Sequence, residues 1–401
     1  MAQGAAGTML EFWAAVCLLW LAGVGLRLTV LAVPPVILLI QADLRLSGTE
    51  IGILSGLPVI LFGVAALPGS LLIARFGALN TLVAGLLITG VASGLRGAAL
   101  DVFALYGATI VMSGGIAIMQ PALPPLVREW LPGRVSFGTA LYSNGLLVAE
   151  TLAVMLTIPA VLPLVDNSWR RSLLVWGVPL IAIAVLTMAL APRSKEPAAT
   201  APAQGRSWWP DWSNKLIWQI GFLFGSVNSV YFCSNAFLPG YLRGAGRADL
   251  ISAALTALNF GQLPASFALL GVASRLERRA WPFIACGVLM LSCVAVIAAT
   301  ANLWTVFFAG LLGFLGAFVM TLGFGLPALL SAPVETARLS AAMFTISYSE
   351  ALLTSVLSGA AWDLSGSARA AFLPIAVSAL PLLFVPTLVR FHRLQHGNGT
   401  S

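Results

Sequence analysis

The stretch GVGLRLTVLAVPP, residues 23–35, decides how this chain is read. Arg27 is its only charge, and no other charge occurs between Glu11 and Asp43. Arg27 therefore sits about fifteen residues from either end of an apolar run, or ~22 Å along a helix that rises 1.5 Å per residue. An arginine stem is too short to snorkel over that distance. A charge at the centre of a bilayer costs about 2.5–3.5 kcal/mol on insertion scales. A guanidinium kept there needs water, an anion or a carboxylate beside it.

The rest of the chain makes lipid the expected solvent. Of 401 residues, 59% are hydrophobic and 9% charged, whereas soluble domains carry about 25% charged residues. A soluble fold so poor in charge could not cover its surface with polar groups. The mean hydropathy is +0.96. A membrane-crossing helix needs about 20 mostly apolar residues, and twelve such runs can be read: 12–41, 50–73, 79–100, 102–127, 136–161, 171–191, 216–242, 250–274, 280–300, 303–330, 339–362 and 370–389. The WWPDW cluster at 208–212 suits a membrane interface. Residues 192–215 break the rhythm with Pro, Ala, Ser and charge, as a linker does.

The segments on either side of that linker echo each other. LPPLVREWLPGRVS (123–136) lies on LPALLSAPVETARLS (326–340), with Arg134-Val135-Ser136 matching Arg338-Leu339-Ser340, and Arg75 after the second run matches Arg275 after the eighth. The expectation is an all-α membrane protein with twelve transmembrane helices in two pseudo-symmetric six-helix bundles, residues 1–191 and 216–401, joined by a cytoplasmic linker at 192–215.

Charge sets the expected orientation. With both termini cytoplasmic, the inner segments hold Arg75, Arg128, Arg134, Arg193, Lys195, Arg206, Lys215, Arg275, Arg278, Arg279, Arg338, Arg390 and Arg393; the outer ones hold Arg45, Arg170, Arg171, Arg243, Arg247 and Arg369. Thirteen against six favours cytoplasmic termini. The first ten residues lack Lys and Arg, so the first hydrophobic segment is expected to stay in the mature protein. The net charge of +7 comes from scattered residues, with no basic stripe interleaved with aromatics, so nucleic acid is not an expected partner.

The sequence also argues against enzyme chemistry. Cys17, Cys233, Cys286 and Cys293 lie singly in apolar runs and read as small buried hydrophobes. His392 and His396 lie in the polar tail with no carboxylate or cysteine nearby. No metal-ligand cluster, Gly-x-Ser-x-Gly or phosphate loop occurs. No cofactor, metal or catalytic residue is expected, and a monomer is.

Polar residues inside the runs are the candidate site. Asn228, Tyr231 and Asn235 share one helical face at i, i+3 and i+7; Asn259 and Gln262 are i, i+3; Ser347, Glu350 and Thr354 repeat the i, i+3, i+7 spacing, with Tyr348 beside them. Gln120, Tyr142 and Asn144 join from two other runs. Taken singly, each of these could merely bond one helix to the next; as a set they fit the wall of an aqueous chamber. Glu150 and Glu350 are mid-run carboxylates that could carry a proton, pair permanently with Arg27, or sit protonated. Arg96, near the end of its run and beside Asp101, is expected to snorkel to the interface. Pro34-Pro35, Pro58, Pro121, Pro124-Pro125, Pro239, Pro264 and Pro327 interrupt the runs and allow kinks.

These residues resemble the major facilitator superfamily, and within it the group that holds cyanate permease and the 2-nitroimidazole exporter. Four stretches carry the likeness: Gly25-Leu26-Arg27; GIAIMQPALPPLVR (115–128); FGSVNSVYFCSNAFLP (224–239); and Gly261-Gln262. The chain departs from the group's pattern at Leu28, where proline usually follows the arginine. It departs again in ARFG (74–77), where Ala74 stands for the usual aspartate of the loop signature, while SRLERR (274–279) in the other half is more basic. The resemblance implies a bacterial inner-membrane secondary transporter working by alternating access, with Arg27, Gln120, Asn228, Tyr231 and Gln262 at a small-molecule substrate; the polar pattern adds Tyr142, Asn144, Asn235, Asn259 and Tyr348 to the expected site. A small anion or a small polar heteroaromatic solute suits a fixed positive charge, with proton coupling open. Two alternatives stand: an exporter of apolar compounds in which Arg27 only pairs with Glu150, and a membrane receptor that binds without transporting.

Overall fold

The structure, a computed structural model, describes residues 2–64, 72–73, 75–132, 134–192, 211–269, 276, 279–330 and 336–389. The described residues contain helices and no strand. In chain order the helices are α1 (Ala2–Gly25), α2 (Leu28–Leu31), α3 (Ile37–Leu44), α4 (Gly48–Val64), α5 (Ala78–Arg96), α6 (Val102–Met119), α7 (Leu123–Trp130), α8 (Val135–Leu156), α9 (Leu162–Leu164), α10 (Trp169–Leu190), α11 (Lys215–Gly244), α12 (Ile251–Phe260), α13 (Gln262–Leu269), α14 (Trp281–Ala299), α15 (Leu303–Leu330), α16 (Thr336–Ser365), α17 (Phe372–Ser378) and α18 (Pro381–Leu388).

Nine helical stretches among the described residues are long and apolar enough to cross a membrane, and each overlaps one of the expected runs. The other three expected runs also hold helix. Gly48–Phe62 is apolar but shorter. The 250–274 run divides between α12 and α13 at Gly261. The 339–362 run lies within α16, whose serines, threonines and glutamate dilute its apolar character. Backbone groups in hydrocarbon must bond within their own segment, which accounts for helix in the described part of every apolar run.

Proline decides where helices break. Pro34 and Pro35 open a 3-10 turn, Pro34–Val36, after the short α2. Pro121 sits in the 3-10 turn Gln120–Ala122 between α6 and α7. Pro159 lies in the π turn Thr157–Val161 that follows α8, where Thr157 donates to the Ala153 carbonyl and accepts from the Trp176 indole. By contrast, Pro58, Pro239 and Pro327 remain inside α4, α11 and α15.

Two compact units form. The first comprises Met1–Ile40 and Val64–Gln204; the second comprises Gln41–Gly63 and Gly205–Ser401. The first unit has α5 between α6 and α10, and α8 against α1. The second is built on α11, which runs beside α16, α15, α17 and α18 and buries nearly every residue from Ile220 to Leu242. A helix buried on all faces needs small or hydrogen-bonded polar side chains where neighbours approach, and GSVNSVYFCSNA supplies them.

Helix α4 belongs to the second unit because it packs on α16. A Ser47–Glu50 capping box starts it, with Ser47 N–H donating to Glu50 Oε2 at 2.8 Å and Glu50 N–H to Ser47 Oγ at 3.2 Å. Asp363, one residue beyond the run predicted at 339–362, adds a cap from the neighbouring helix. It accepts from Gly48 N–H at 2.5 Å and Thr49 N–H at 2.8 Å. Farther along, Ser355 Oγ donates to the Gly52 carbonyl at 2.8 Å. The aromatic cluster expected at an interface is partly visible: Trp218 donates to the Trp212 carbonyl at 2.9 Å, and the two rings lie 6.0 Å apart. Residues 193–210 of the expected linker lie outside the described residues.

Candidate functional site

Arg27 occupies a gap in the first helix. α1 ends at Gly25 and α2 begins at Leu28, so Leu26 and Arg27 lie between them, and Arg27 precedes α2 with φ −129° and ψ −20°. It is 4% exposed. Its Nε lies 3.2 Å from Glu150 Oε1 on α8, and Glu150 is 3% exposed. Close helix packing brings the two together. A Cβ on Gly23 would fall 2.0 Å from the Tyr142 carbonyl, and one on Gly145 would fall 2.2 Å from the Trp20 carbonyl. Only glycine at both places lets α1 and α8 approach so closely. Asn144 belongs to the same seam, accepting from the Trp20 indole at 2.9 Å, and Tyr142 is half-buried there. Of the three readings open for Glu150, the structure displays the ion pair.

Arg96 corrects a sequence expectation. It does not snorkel: it is 1% exposed. Its Nη1 donates to the Thr29 carbonyl at 3.1 Å and contacts Met112 Sδ at 2.8 Å. Asp101 is not its partner; that carboxylate caps α6 by accepting from Ala104 N–H at 2.8 Å. The local chemistry explains the turn inward. Pro34 has no N–H to offer the Val30 carbonyl. Val33 N–H bonds Val30 instead, at 3.4 Å, which leaves the Thr29 carbonyl open for Arg96. A Pro-Pro pair five and six residues after a threonine signals such a vacant carbonyl, but sequence does not say which donor fills it.

In the second unit the predicted polar residues join in two groups. Tyr231 OH donates to Asn259 Oδ1 at 2.6 Å and accepts from Gln262 Nε2 at 3.1 Å. Asn259 Nδ2 donates to Asn235 Oδ1 at 2.8 Å, and Asn235 Nδ2 donates to the Tyr231 carbonyl at 3.1 Å. Asn228 faces another way and donates to Ser347 Oγ on α16 at 2.8 Å. The i, i+3, i+7 face of α11 thus divides between α16 and the pair α12 and α13. Tyr348 is buried, stacked on Phe344 at 5.8 Å and edge-on to Phe62 at 6.0 Å. Gln120 is exposed at the break between α6 and α7.

Glu350 stands apart from these groups. Its Oε2 is buried with no hydrogen-bond partner among the described residues. The carboxylate lies against Gly225 of α11, where an added Cβ would fall 2.1 Å from Oε2. Sequence did not show that Glu350 would be the group to rest on Gly225, nor the Gly48–Asp363 cap.

Helical units that bury an arginine–glutamate pair at a helix break in one and amide–hydroxyl networks in the other invite comparison with known transporters. Residues 16–349 match the Major Facilitator Superfamily. The chain belongs to that superfamily. It is 26% identical over 306 residues to the uncharacterised transporter YycB of Bacillus subtilis (strain 168), covering 75% of this chain and 70% of that one. It is 26% identical over 234 residues to a 2-nitroimidazole transporter of Escherichia coli (strain K12), covering 58% of each. With the cyanate transport protein CynX of the same organism it shares 24% over 266 residues, covering 65% of this chain and 66% of that one. Among solved structures, a bacterial homologue of the human lysosomal transporter Spinster superposes with TM-score 0.73 at 13% identity, covering 96% of both chains. The nucleoside transporter NupG does so with TM-score 0.73 at 13% identity, covering 94% of this chain and 98% of that one. These two likenesses concern the fold. This major facilitator is a multi-pass membrane transporter rather than an enzyme, of a family that carries small molecules.

Proposed function

We propose that this major facilitator carries a small anion, or a small polar heteroaromatic solute, across the bacterial inner membrane by alternating access, as a monomer with both termini in the cytoplasm. The observation that carries the reading is Arg27, a buried cation at the gap between α1 and α2. An interrupted helix offers unpaired backbone groups as well as the side chain, and transporters bind substrates at such discontinuities. Gln120, Tyr142, Asn144, Asn228, Tyr231, Asn235, Asn259, Gln262 and Tyr348 are proposed to line the route and orient the solute. The names of two relatives, a cyanate and a 2-nitroimidazole transporter, fit both solute classes.

Glu150 and Glu350 take different parts in this proposal. Glu150 is the counter-ion that keeps Arg27 tolerable when no substrate is present. Glu350, whose Oε2 has no hydrogen-bond partner among the described residues, is the carboxylate that takes up and releases a proton.

The experiment is uptake of labelled cyanate and labelled 2-nitroimidazole into proteoliposomes of known orientation. The wild type is expected to move one of them, and Arg27→Ala to abolish movement while folded protein remains in the membrane. Arg27→Lys loses activity too if the planar fork is needed. Wild-type rates in Arg27→Ala vesicles would overturn the proposal. The Arg27–Glu150 contact at 3.2 Å also favours a second reading, an exporter of apolar compounds in which the pair is structural. Replacing both residues with neutral ones would then preserve transport.

A further inference from the structure

Among its described residues, the first unit holds more buried positive charge than buried acids balance. Arg27 and Arg96 are 4% and 1% exposed, and Glu150 at 3% is the sole buried acid among that unit's described residues. Glu11, Asp101, Glu129 and Asp166 are exposed. Two guanidiniums therefore face one carboxylate.

Both guanidiniums serve the same short stretch. Arg27 lies in the gap, and Arg96 Nη1 holds the carbonyl of Thr29, two residues on. Capping a carbonyl does not require a charge; a serine or amide donor would satisfy it without the desolvation that a buried ion incurs. The carbonyl contact alone therefore does not account for a charged side chain there. Two polar atoms at this stretch are also left over: Arg96 Nε and Thr29 Oγ1 are buried with no hydrogen-bond partner among the described residues. Buried polar groups are rarely left unsatisfied, so each such atom calls for an explanation, a functional role among them.

We infer that Arg96 is the second cationic group of the proposed substrate site: it fixes the interrupted turn that carries Arg27 and supplies the uncompensated charge, so that the site takes a singly charged anion in preference to a neutral solute. This rests on the proposed function and narrows it. Arg27 is matched by Glu150, so the remaining charge belongs to Arg96. A monovalent anion restores neutrality in a low-dielectric surrounding, where an unbalanced charge is costly. A neutral heterocycle does not.

The test uses the full chain, purified in detergent at fixed ionic strength and buffered on the acid side of neutrality so that the azole keeps its ring N–H proton, with sodium cyanate as the anionic probe and 2-nitroimidazole as the neutral one. Thermal stabilisation against probe concentration gives an apparent Kd. Arg96→Gln keeps a donor for the Thr29 carbonyl and removes the charge. It is expected to weaken cyanate binding at least tenfold and to leave the response to 2-nitroimidazole within twofold of wild type. A purely structural Arg96 predicts the opposite pattern, a lower Tm without probes and an unchanged Kd for cyanate. Should Arg96→Gln fail to fold, Arg96→Lys preserves the charge and is expected to hold the cyanate Kd within threefold; a tenfold loss there overturns the charge argument. Cyanate binding by Arg96→Gln that matches wild type sinks this inference alone. A wild type stabilised only by 2-nitroimidazole does the same. A wild type that responds to neither probe sinks the proposed function with it.

Discussion

The two units bury polar groups of different kinds. In the first, the polar centre is ionic, with Arg27 on Glu150 and Arg96 on an open carbonyl. In the second it is mostly neutral, a chain through Gln262, Tyr231, Asn259 and Asn235, with Asn228 on Ser347 nearby. The two kinds have different energetics. A neutral network that satisfies its own donors and acceptors rigidifies helices at small net cost. An ion pair in the same surroundings pays heavy desolvation and is often no more stable than an apolar substitute. Stability alone therefore accounts for the second unit's network and not for the first unit's arginines.

Substitutions can break this comparison. The largest effect is expected from Glu150→Ala, which strands Arg27 without its carboxylate. Loss of one partner from a buried pair costs about 3–5 kcal/mol, readable as a large drop in Tm of the purified protein. A drop of less than a degree would mean that Arg27 is already hydrated or otherwise balanced, and the ionic description of the first unit would fail.

Gly145→Val comes next. Its side chain would meet the Trp20 carbonyl, 2.2 Å from the ideal Cβ position, so α1 and α8 must separate. Overpacking of this sort costs about 1–3 kcal/mol. Because the same seam sets Arg27 against Glu150, transport should fall more than stability does, and a KM-against-kcat measurement on the variant checks it.

Tyr231→Phe probes the neutral side. It removes the hydroxyl shared by Asn259 and Gln262 and is expected to cost about 1 kcal/mol, less than the charge substitutions. Retained transport with a slightly lowered Tm would mark the network as mainly structural. A full loss of transport would place Tyr231 among substrate contacts and sharpen the contrast in the other direction.

The smallest effect concerns pH. Burial disfavours ionisation of the Asp363 carboxyl, but hydrogen bonds from Thr49, side chain and backbone, and from Gly48 N–H outweigh it and hold the group below the usual carboxylate range. A carboxyl depressed on folding stabilises above its unfolded pKa, near 3.9 for Asp. That contribution disappears as pH falls through the lower folded value. Hydrogen exchange at the start of α4 should therefore rise below about pH 4 in the wild type and be raised, with less pH dependence, in Asp363→Asn. A wild-type profile flat down to pH 2 would count against the cap.

Much of the fold was readable because hydrocarbon permits few structures. Apolar length forces helix, and Pro34-Pro35 and Pro121 foretell real interruptions at 34–36 and 120–122. Pro58, Pro239 and Pro327 show the limit of that rule, since their helices continue through them. At the site, the face shared by Asn228, Tyr231 and Asn235 was legible from spacing, but its division between partners on α16 and on α12 and α13 was not. Arg96 was misread because its place in the run suggested an interface, whereas the open Thr29 carbonyl drew it inward.

By itself the sequence determined that the chain lives in lipid as helices and that Arg27 must have company, since both follow from local composition and the energy of a bare charge in hydrocarbon. Which carboxylate answers Arg27, which way Arg96 turns, and that Glu350 rests on Gly225 were settled only by packing. Those choices depend on which helices touch and at what height, a relation between segments far apart in the chain that no local period encodes.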